Sequence, residues 1–462
     1  MELSLGEIAE VTGGHILGER ASLTFSHFFH DSREVGKKSF FIALKGEKVD
    51  GHDYIKAAYD GGCRGVLISD ESKSRVIRDE LKDLGFVLVS DAVKALADLG
   101  REVLKRMNPT VIGITGSVGK TTTKDMIAKI LSTKFKVAAS PGNLNTEIGL
   151  PIALLNFEDG REIVVLEMAT RGFGQIKQLC EIAPPNIAVI TNIGHSHLEC
   201  FGDLDGVRKA KIEIVETMAE GGTAVISGDE ERLINEISNL GVRYRTFGES
   251  EGLDTVVTGV QISETQTQYK ILTGDGSVSG TMDYGTHGDI LNCAAAVTVA
   301  SVLGISASEA LESSPEPPHS NLRSEWQPGP NSSSILVDCY NANPESMRNS
   351  AQFVSKKRRS GGRVIGVLGD MFELGGSSES EHKNLGLYLA GLQFDELITI
   401  GDQMEITMRS FVDAGGVGKH YKSYEQLTEY LINTVREKDV ILLKGSRGMT
   451  MEKVLNYLPK PS

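Results

Sequence analysis

The sequence predicts an α/β protein in three parts: a small N-terminal α/β domain over residues 1–106, a central P-loop-type domain with a mostly parallel sheet over 107–317, and a C-terminal doubly wound, Rossmann-like domain over 318–462. Three observations predict it. A glycine–lysine loop lies between an apolar run and a helical pattern, in the stretch IGITGSVGKTTTKD from Ile112 to Asp125. Two breaks, Met107-Asn108-Pro109 and the proline-rich Pro315 to Ser320, divide the chain. Beyond the second break short apolar runs alternate with helical patterns, as crossover helices on a parallel sheet do.

Composition bounds the rest. A chain of 462 residues, 40% hydrophobic and 24% charged, can bury several cores. No apolar run is long enough to span a bilayer, and the start, MELSLGEIAE, lacks a basic n-region. Five scattered cysteines without a C-x-x-C pair fit reduced thiols better than a disulfide frame or a zinc site. A net charge of −14 argues against nucleic acid or an anionic membrane as the main partner. The basic cluster Lys356 to Arg359 reads as a solvated helix end before the Gly361-Gly362 turn.

In the first domain, Leu5, Ile8, Ala9 and Val11 mark a helix stopped by Gly13-Gly14. Strands are expected at Phe40 to Leu44, Val66 to Ser69 and Phe86 to Ser90, with helices between. Ser32 and Arg33 are candidates to grip an anionic ligand; a turn with a surface ion pair fits the same spacing.

In the second domain, Val111 to Ile114 is a strand that leads into Thr115, Gly116, Ser117, Val118, Gly119, Lys120, Thr121 and Thr122. The pattern is T-G-x-x-G-K-T rather than G-x-x-x-x-G-K-(S/T), since position 114 is Ile. Glycines let backbone N–H groups turn inward, the helix start adds partial positive charge, and lysine neutralises phosphate. Thr121 is placed to hold Mg²⁺ through its hydroxyl. PGNLNTEIGLP, 141 to 151, reads as a loop. Ile163 to Met168 is a buried strand carrying Glu167 near its C-terminal end, where a nucleotide-bound Mg²⁺ finds an acidic ligand. Ile187 to Thr191 is another strand, followed by His195, His197 and Glu199, a weak metal signal on spacing alone. A helix over Val207 to Met218, strands at Thr223 to Ser227 and Tyr244 to Phe247, hairpins from 253 to 284, and a tightly packed helix over 289 to 304 complete the domain. In the third, strands are expected at Ile335 to Asp338, Val364 to Leu368, Leu397 to Ile400 and Val440 to Leu443.

Taken together these stretches resemble the Mur ligase family. The N-terminal DSR and G-x-x-x-D-G-H, then ITGSVGKTTT, GNLNTEIGLP, EMATRGFGQI, NIGHSHLECFG and A-K-x-E-I at 210 to 214 follow in family order. DCYNANPESM (338–347), LGDMFELG (368–375) and KGSRGM (444–449) complete the set. The resemblance implies a uridine-nucleotide domain at the N-terminus, an ATPase domain in the centre, and an ATP- and Mg²⁺-dependent amide ligase. The Y-N-A-N-P form implies UDP-N-acetylmuramoyl-tripeptide and D-alanyl-D-alanine as substrates, in a bacterial cytosol, with the chain expected as a monomer. It also implies roles: Lys120 on the β- and γ-phosphates; Thr121, Glu167 and His197 as Mg²⁺ ligands; Lys211 as the lysine that the family carbamylates, turning a cation into a metal-binding anion. Asn292 matches an adenine contact, and Arg323 and Asp338 match residues that close on the nucleotide. Asn145, Thr146, Tyr340, Asn341 and Asn343, with Ser32 and Arg33, fall where substrate is gripped. Ala169, Gln175 and Thr146 depart from the family's usual residues on the substrate side. A related Mur-type or folylpolyglutamate-type ligase with a different acceptor is the alternative within the enzyme class. A P-loop module without ligation is the alternative outside it, and it leaves Glu167, His197 and Lys211 without a purpose.

Overall fold

The computed structural model describes residues 1–458 apart from 19, 35, 37, 264–265, 314 and 316–321. Apart from Pro315, the expected proline-rich linker lies outside the described residues.

Three open sheets follow one another along the chain, with a small antiparallel pair, Leu3–Ser4 and Thr24–Phe25, in the first domain. The first takes strands in the order His15–Ile16, Gly85–Leu88, Gly65–Ile68, Ser39–Ile42 and His27–Phe29, parallel except at the His15–Ile16 edge. Both faces are covered: Phe40, Ile42, Leu67 and Val87 point to one core, Phe41, Val66, Ile68 and Phe86 to another. The opening helix, Leu5–Thr12, has the start and stop its sequence encodes. Ser4 and Glu7 form a capping box, and Gly13 takes the left-handed turn at φ 62°.

The central sheet has nine strands. In order these are Val137–Ala139, Ile163–Glu167, Thr110–Thr115, Ile187–Ile190, Thr223–Ser227, Arg243–Gly248, Thr255–Ile262, Gln266–Thr273 and Gly276–Asp283. All neighbours are parallel until the last two, which form the expected hairpins. The helices Lys120–Leu131 and His287–Val302 cover one face, resting on Ile112, Ile114, Val165 and Val189. The helices Gln175–Ile182 and Leu204–Glu216 cover the other, resting on Val111, Val164, Leu166 and Ala188. Because the central strands Thr110–Thr115, Ile163–Glu167, Ile187–Ile190 and Thr223–Ser227 are buried on both faces, they read as continuous apolar runs.

The third sheet runs Glu325–Pro328, Ser334–Asp338, Val440–Lys444, Val364–Gly369, Glu396–Ile400 and Val417–Tyr421, parallel save for its first strand.

Two local expectations change. The loop expected over 141–151 ends early, because the helix Gly149–Leu155 begins inside it; Pro151 is tolerated in a first turn, where its missing N–H has no partner to lose. That helix also ties the first two domains: Ile152 and Leu155 belong to the N-terminal core, and the Asn156 carboxamide bonds both N–H and C=O of Phe28 at 3.0 and 2.8 Å. The basic cluster is a solvated helix end only in part, at the exposed Lys356 and Arg358. The helix stops at Ser355, Lys357 is buried with its ammonium donating to the Ser263 carbonyl, and Arg358 bonds Asp395.

Candidate active site

Parallel order places the chemistry. The strand Thr110–Thr115 lies between Ile163–Glu167 and Ile187–Ile190, so the phosphate loop, Glu167 and the turn at Asn192 emerge side by side at the C-terminal sheet edge. Gly116 and Gly119 are obligatory. Gly116 has φ 151°, and a Cβ there would meet Thr191 Oγ1 at 1.8 Å; Gly119 has φ 80°, and a Cβ would meet Asn292 Oδ1 at 2.2 Å. The N–H groups of Ser117 and Val118 do not line an open cradle, since both donate to Asn192 Oδ1 at 3.0 Å. The helix Lys120–Leu131 starts with no side-chain cap, which leaves its first N–H groups for phosphate. The Thr115 hydroxyl is buried without a partner among the described residues, and Thr122 is half-buried beside Thr121. Asn192 and Glu230, which accepts from Ile193 N–H at 2.8 Å, brace this turn. Neither stands out in the sequence, because each acts through backbone contacts with distant loops.

Glu167 is buried and held at both oxygens: the Thr121 hydroxyl donates to Oε2 at 2.7 Å and the Asn145 amide to Oε1 at 2.8 Å. Asn145 thus orients a carboxylate here. The Thr146 hydroxyl accepts from the N–H of Gly149, the first residue of the next helix, at 3.3 Å. The Lys120 ammonium lies back along the loop on the Gly116 carbonyl at 2.8 Å. Burial pushes its pKa down, while Glu167 pulls it up and Arg323 adds to the depression. Lys211 is buried on the helix Leu204–Glu216, and no described residue offers its ammonium a hydrogen bond or ion pair. Burial drives its pKa well below the usual lysine range, and the charge of Lys120 adds to that.

The C-terminal domain closes on the turn after Asn192. Glu345 Oε1 accepts from both N–H and Nδ1 of His195, at 3.0 and 2.8 Å. His197 Nδ1 lies 2.7 Å from Glu373 Oε2, and this bond holds the Glu373 carboxyl below its ordinary range. Glu345 and Glu373 escaped the sequence reading although both lie inside motifs it singled out. Asp338 ends its strand in register with Lys444, is ion-paired to it, and accepts from Ser350 Oγ at 2.7 Å. The Arg323 guanidinium stacks on Tyr340, 3.6 Å from the ring centroid.

The remaining candidates have local duties. The Asn341 carbonyl accepts from Lys444 at 3.2 Å, and the Asn343 side chain caps the helix Pro344–Ser355. Arg33 is exposed and forks onto Asp31, which lowers the Asp31 pKa to about 2, with Ser32 half-buried alongside. Gln175 accepts from Arg171 N–H at 2.7 Å and so folds the loop after Glu167 closed. Asn292 stands over Gly119 from the helix His287–Val302.

An open parallel sheet offering a phosphate loop and a clamped acidic strand end, faced by a second doubly wound domain, defines a nucleotide-dependent enzyme of P-loop type. Family models divide the chain as the sheets do: the Mur ligase catalytic domain matches 25–104, the middle domain 114–300 and the glutamate ligase domain 322–447. The chain belongs to the Mur ligase family. It is 32% identical to the UDP-N-acetylmuramoyl-tripeptide--D-alanyl-D-alanine ligase of Bacillus subtilis, over 98% of this chain and 97% of that protein. A structure of MurF from Acinetobacter baumannii superposes with a TM-score of 0.87 at 27% identity, over 99% of this chain and 98% of that one. MurF ligase from Thermotoga maritima, solved in complex with ADP, gives 0.78 at 31% identity, over 93% of this chain and 96% of that one. Among the described residues no helix is long and apolar enough to cross a membrane.

Proposed function

We propose that this protein joins D-alanyl-D-alanine to UDP-N-acetylmuramoyl-tripeptide with ATP as the third substrate. The observation that carries the reading is the hydrogen bond from half-buried Thr121 to buried Glu167 beside the phosphate loop, in a chain 32% identical along its length to a ligase of that name.

A carboxylate resists attack by an amine, because the attack pushes charge onto a group already anionic. Transfer of the γ-phosphoryl group to a carboxylate oxygen gives an acyl phosphate and ADP. The D-alanyl-D-alanine amine then adds, loses a proton, and the tetrahedral adduct expels phosphate to leave the amide. Positioning and charge neutralisation dominate such chemistry. Lys120 leaves the Gly116 carbonyl for the transferring phosphoryl oxygens, and the uncapped helix start holds the phosphates. Asn292 is the adenine contact, and Arg323 and Asp338 meet the nucleotide from the C-terminal domain. The first domain takes the uridine nucleotide.

Magnesium fits the residues present. Thr121 and Glu167 supply hard oxygen donors, already adjacent and already oriented. His197 supplies a nitrogen: a neutral ring that donates Nδ1–H to Glu373 keeps its lone pair on Nε2. Lys211 as an ammonium would repel the ion; its neutral amine, which burial favours, could add CO₂ and lose a proton to give a carbamate anion that the ion would pair with. Bound there, the ion neutralises charge on the transferring phosphoryl group.

The test is phosphate release from ATP with each acceptor pair. Release that requires both the tripeptide nucleotide and D-alanyl-D-alanine, with the pentapeptide mass as product, supports the reading. Release that depends on another acid, such as a folate, or on no acceptor at all, contradicts it.

A further inference from the structure

His197 and Glu373 meet across the seam between the central and C-terminal domains, and each has left-handed backbone, at φ 53° and φ 65°. Left-handed backbone is uncommon for any residue but glycine, and for glutamate more so than for histidine, so the conformation at Glu373 in particular persists because its surroundings dictate it. The chain is pinned as it enters Glu373. Met371 N–H donates to Nε2 of the buried His382 at 3.1 Å, and Phe372 N–H donates to Ser446 Oγ at 2.8 Å. It is pinned again as it leaves, since Leu374 is buried and Gly375, at φ 54°, lies so close to Glu199 that a Cβ would come within 3.0 Å of its Cα. The Glu199 N–H also donates to the Glu373 carbonyl at 3.4 Å. Main chain and side chain of Glu373 therefore clasp the same turn, His197 to Glu199.

We propose that Glu373 is a positioning residue for the ligation. By accepting the Nδ1–H of His197 it fixes the tautomer that keeps the Nε2 lone pair free, so that His197 is ready to ligate only when the two domains are seated together. The proposal rests on the reading of His197 as a Mg²⁺ ligand. A histidine ligand is set by the hydrogen bond that its other nitrogen makes, and here that bond comes from a different domain. The site is then complete only in the assembled molecule, which ties phosphoryl transfer to the seating of the domain that carries Arg323 and Asp338.

The experiment uses the full chain and two readouts. ¹⁵N spectra of histidine-labelled, metal-free protein, taken well above the histidine range, report the His197 tautomer, with His197→Asn assigning its signals. The Mg²⁺ concentration for half-maximal phosphate release reports the ligand. In the wild type His197 is protonated at Nδ1. In Glu373→Ala that preference is lost and the half-saturating Mg²⁺ rises about tenfold or more. Glu373→Gln keeps an acceptor oxygen, and it holds both readouts near wild type. Glu373 is partly exposed, so its truncation leaves no buried cavity. Glu373→Ala with unchanged tautomer and unchanged Mg²⁺ dependence overturns the proposal, provided that His197→Ala raises the Mg²⁺ requirement. If His197→Ala leaves that requirement unchanged, the ligand reading itself has failed.

Discussion

If the proposed role of Lys211 holds, this chain trades stability for chemistry there. A buried ammonium without a partner costs several kcal/mol relative to an apolar side chain of its size. Lys211→Met is therefore expected to be inactive yet more stable by about 1–4 kcal/mol in CO₂-free buffer. Thermal or urea unfolding beside a phosphate-release assay reads both; a variant that unfolds earlier than wild type contradicts the account. At this scale the sequence was informative wherever one residue's neighbours along the chain define its task. The positions of Lys120 and Thr121 follow from the loop that carries them, and that of Glu167 from ending a buried strand. Arg33 stays open, because a guanidinium two residues from an aspartate reads equally as ligand clamp or surface pair; in the structure it rests on Asp31. Glu345 and Glu373 were illegible for a different reason: their partners, His195 and His197, lie in another domain, and no spacing encodes that.

Single elements carry two further predictions. Gly119 opens the helix Lys120–Leu131 in left-handed backbone beneath Asn292. Gly119→Ala combines a positive φ with a steric clash, so phosphate release should fall at least about tenfold while the far sheets keep their fold. Isothermal titration with ATP checks it, and wild-type affinity would count against the geometry. In the first domain, Asp50 accepts from His52 N–H at 3.0 Å, lies 2.6 Å from His52 Nδ1, and pairs with Lys73 at 2.8 Å. His52 Nε2 in turn accepts from the N–H groups of Ser69 and Asp70. These contacts, Lys73 foremost, push the Asp50 pKa down. A carboxylate depressed on folding contributes stability that is present above its unfolded value, about 3.9, and is lost as pH falls below it. Asp50→Asn should therefore be the less stable protein at neutral pH, and the gap should narrow as pH drops from 5 towards 3 in circular-dichroism melts. Strands of this kind were legible because parallel sheets buried on both faces write themselves as unbroken apolar runs. The short edge strands His15–Ile16 and Val417–Tyr421 were not, since an edge needs few apolar residues and leaves no such run.

Across the whole molecule the C-terminal edges of the central and third sheets face each other, joined by His195–Glu345 and His197–Glu373. Water must be kept from an acyl phosphate, and two domains seated on one turn can do so. Glu345→Arg puts a cation against His195 and breaks that seat. The expected result is a larger radius of gyration by solution scattering and ligation lowered about tenfold or more; an unchanged scattering curve would argue that the seam is not held there. The order of domains was legible from the two chain breaks and the motifs, whereas their mutual placement was not, because it rests on contacts between loops far apart in sequence. The central claim is that the chain activates a carboxylate as an acyl phosphate. The most direct measurement places ¹⁸O in the terminal carboxylate of the tripeptide nucleotide and follows it by mass during ligation. One ¹⁸O carried into each released phosphate is the predicted result. Phosphate free of the label, formed while the amide product accumulates, would contradict it.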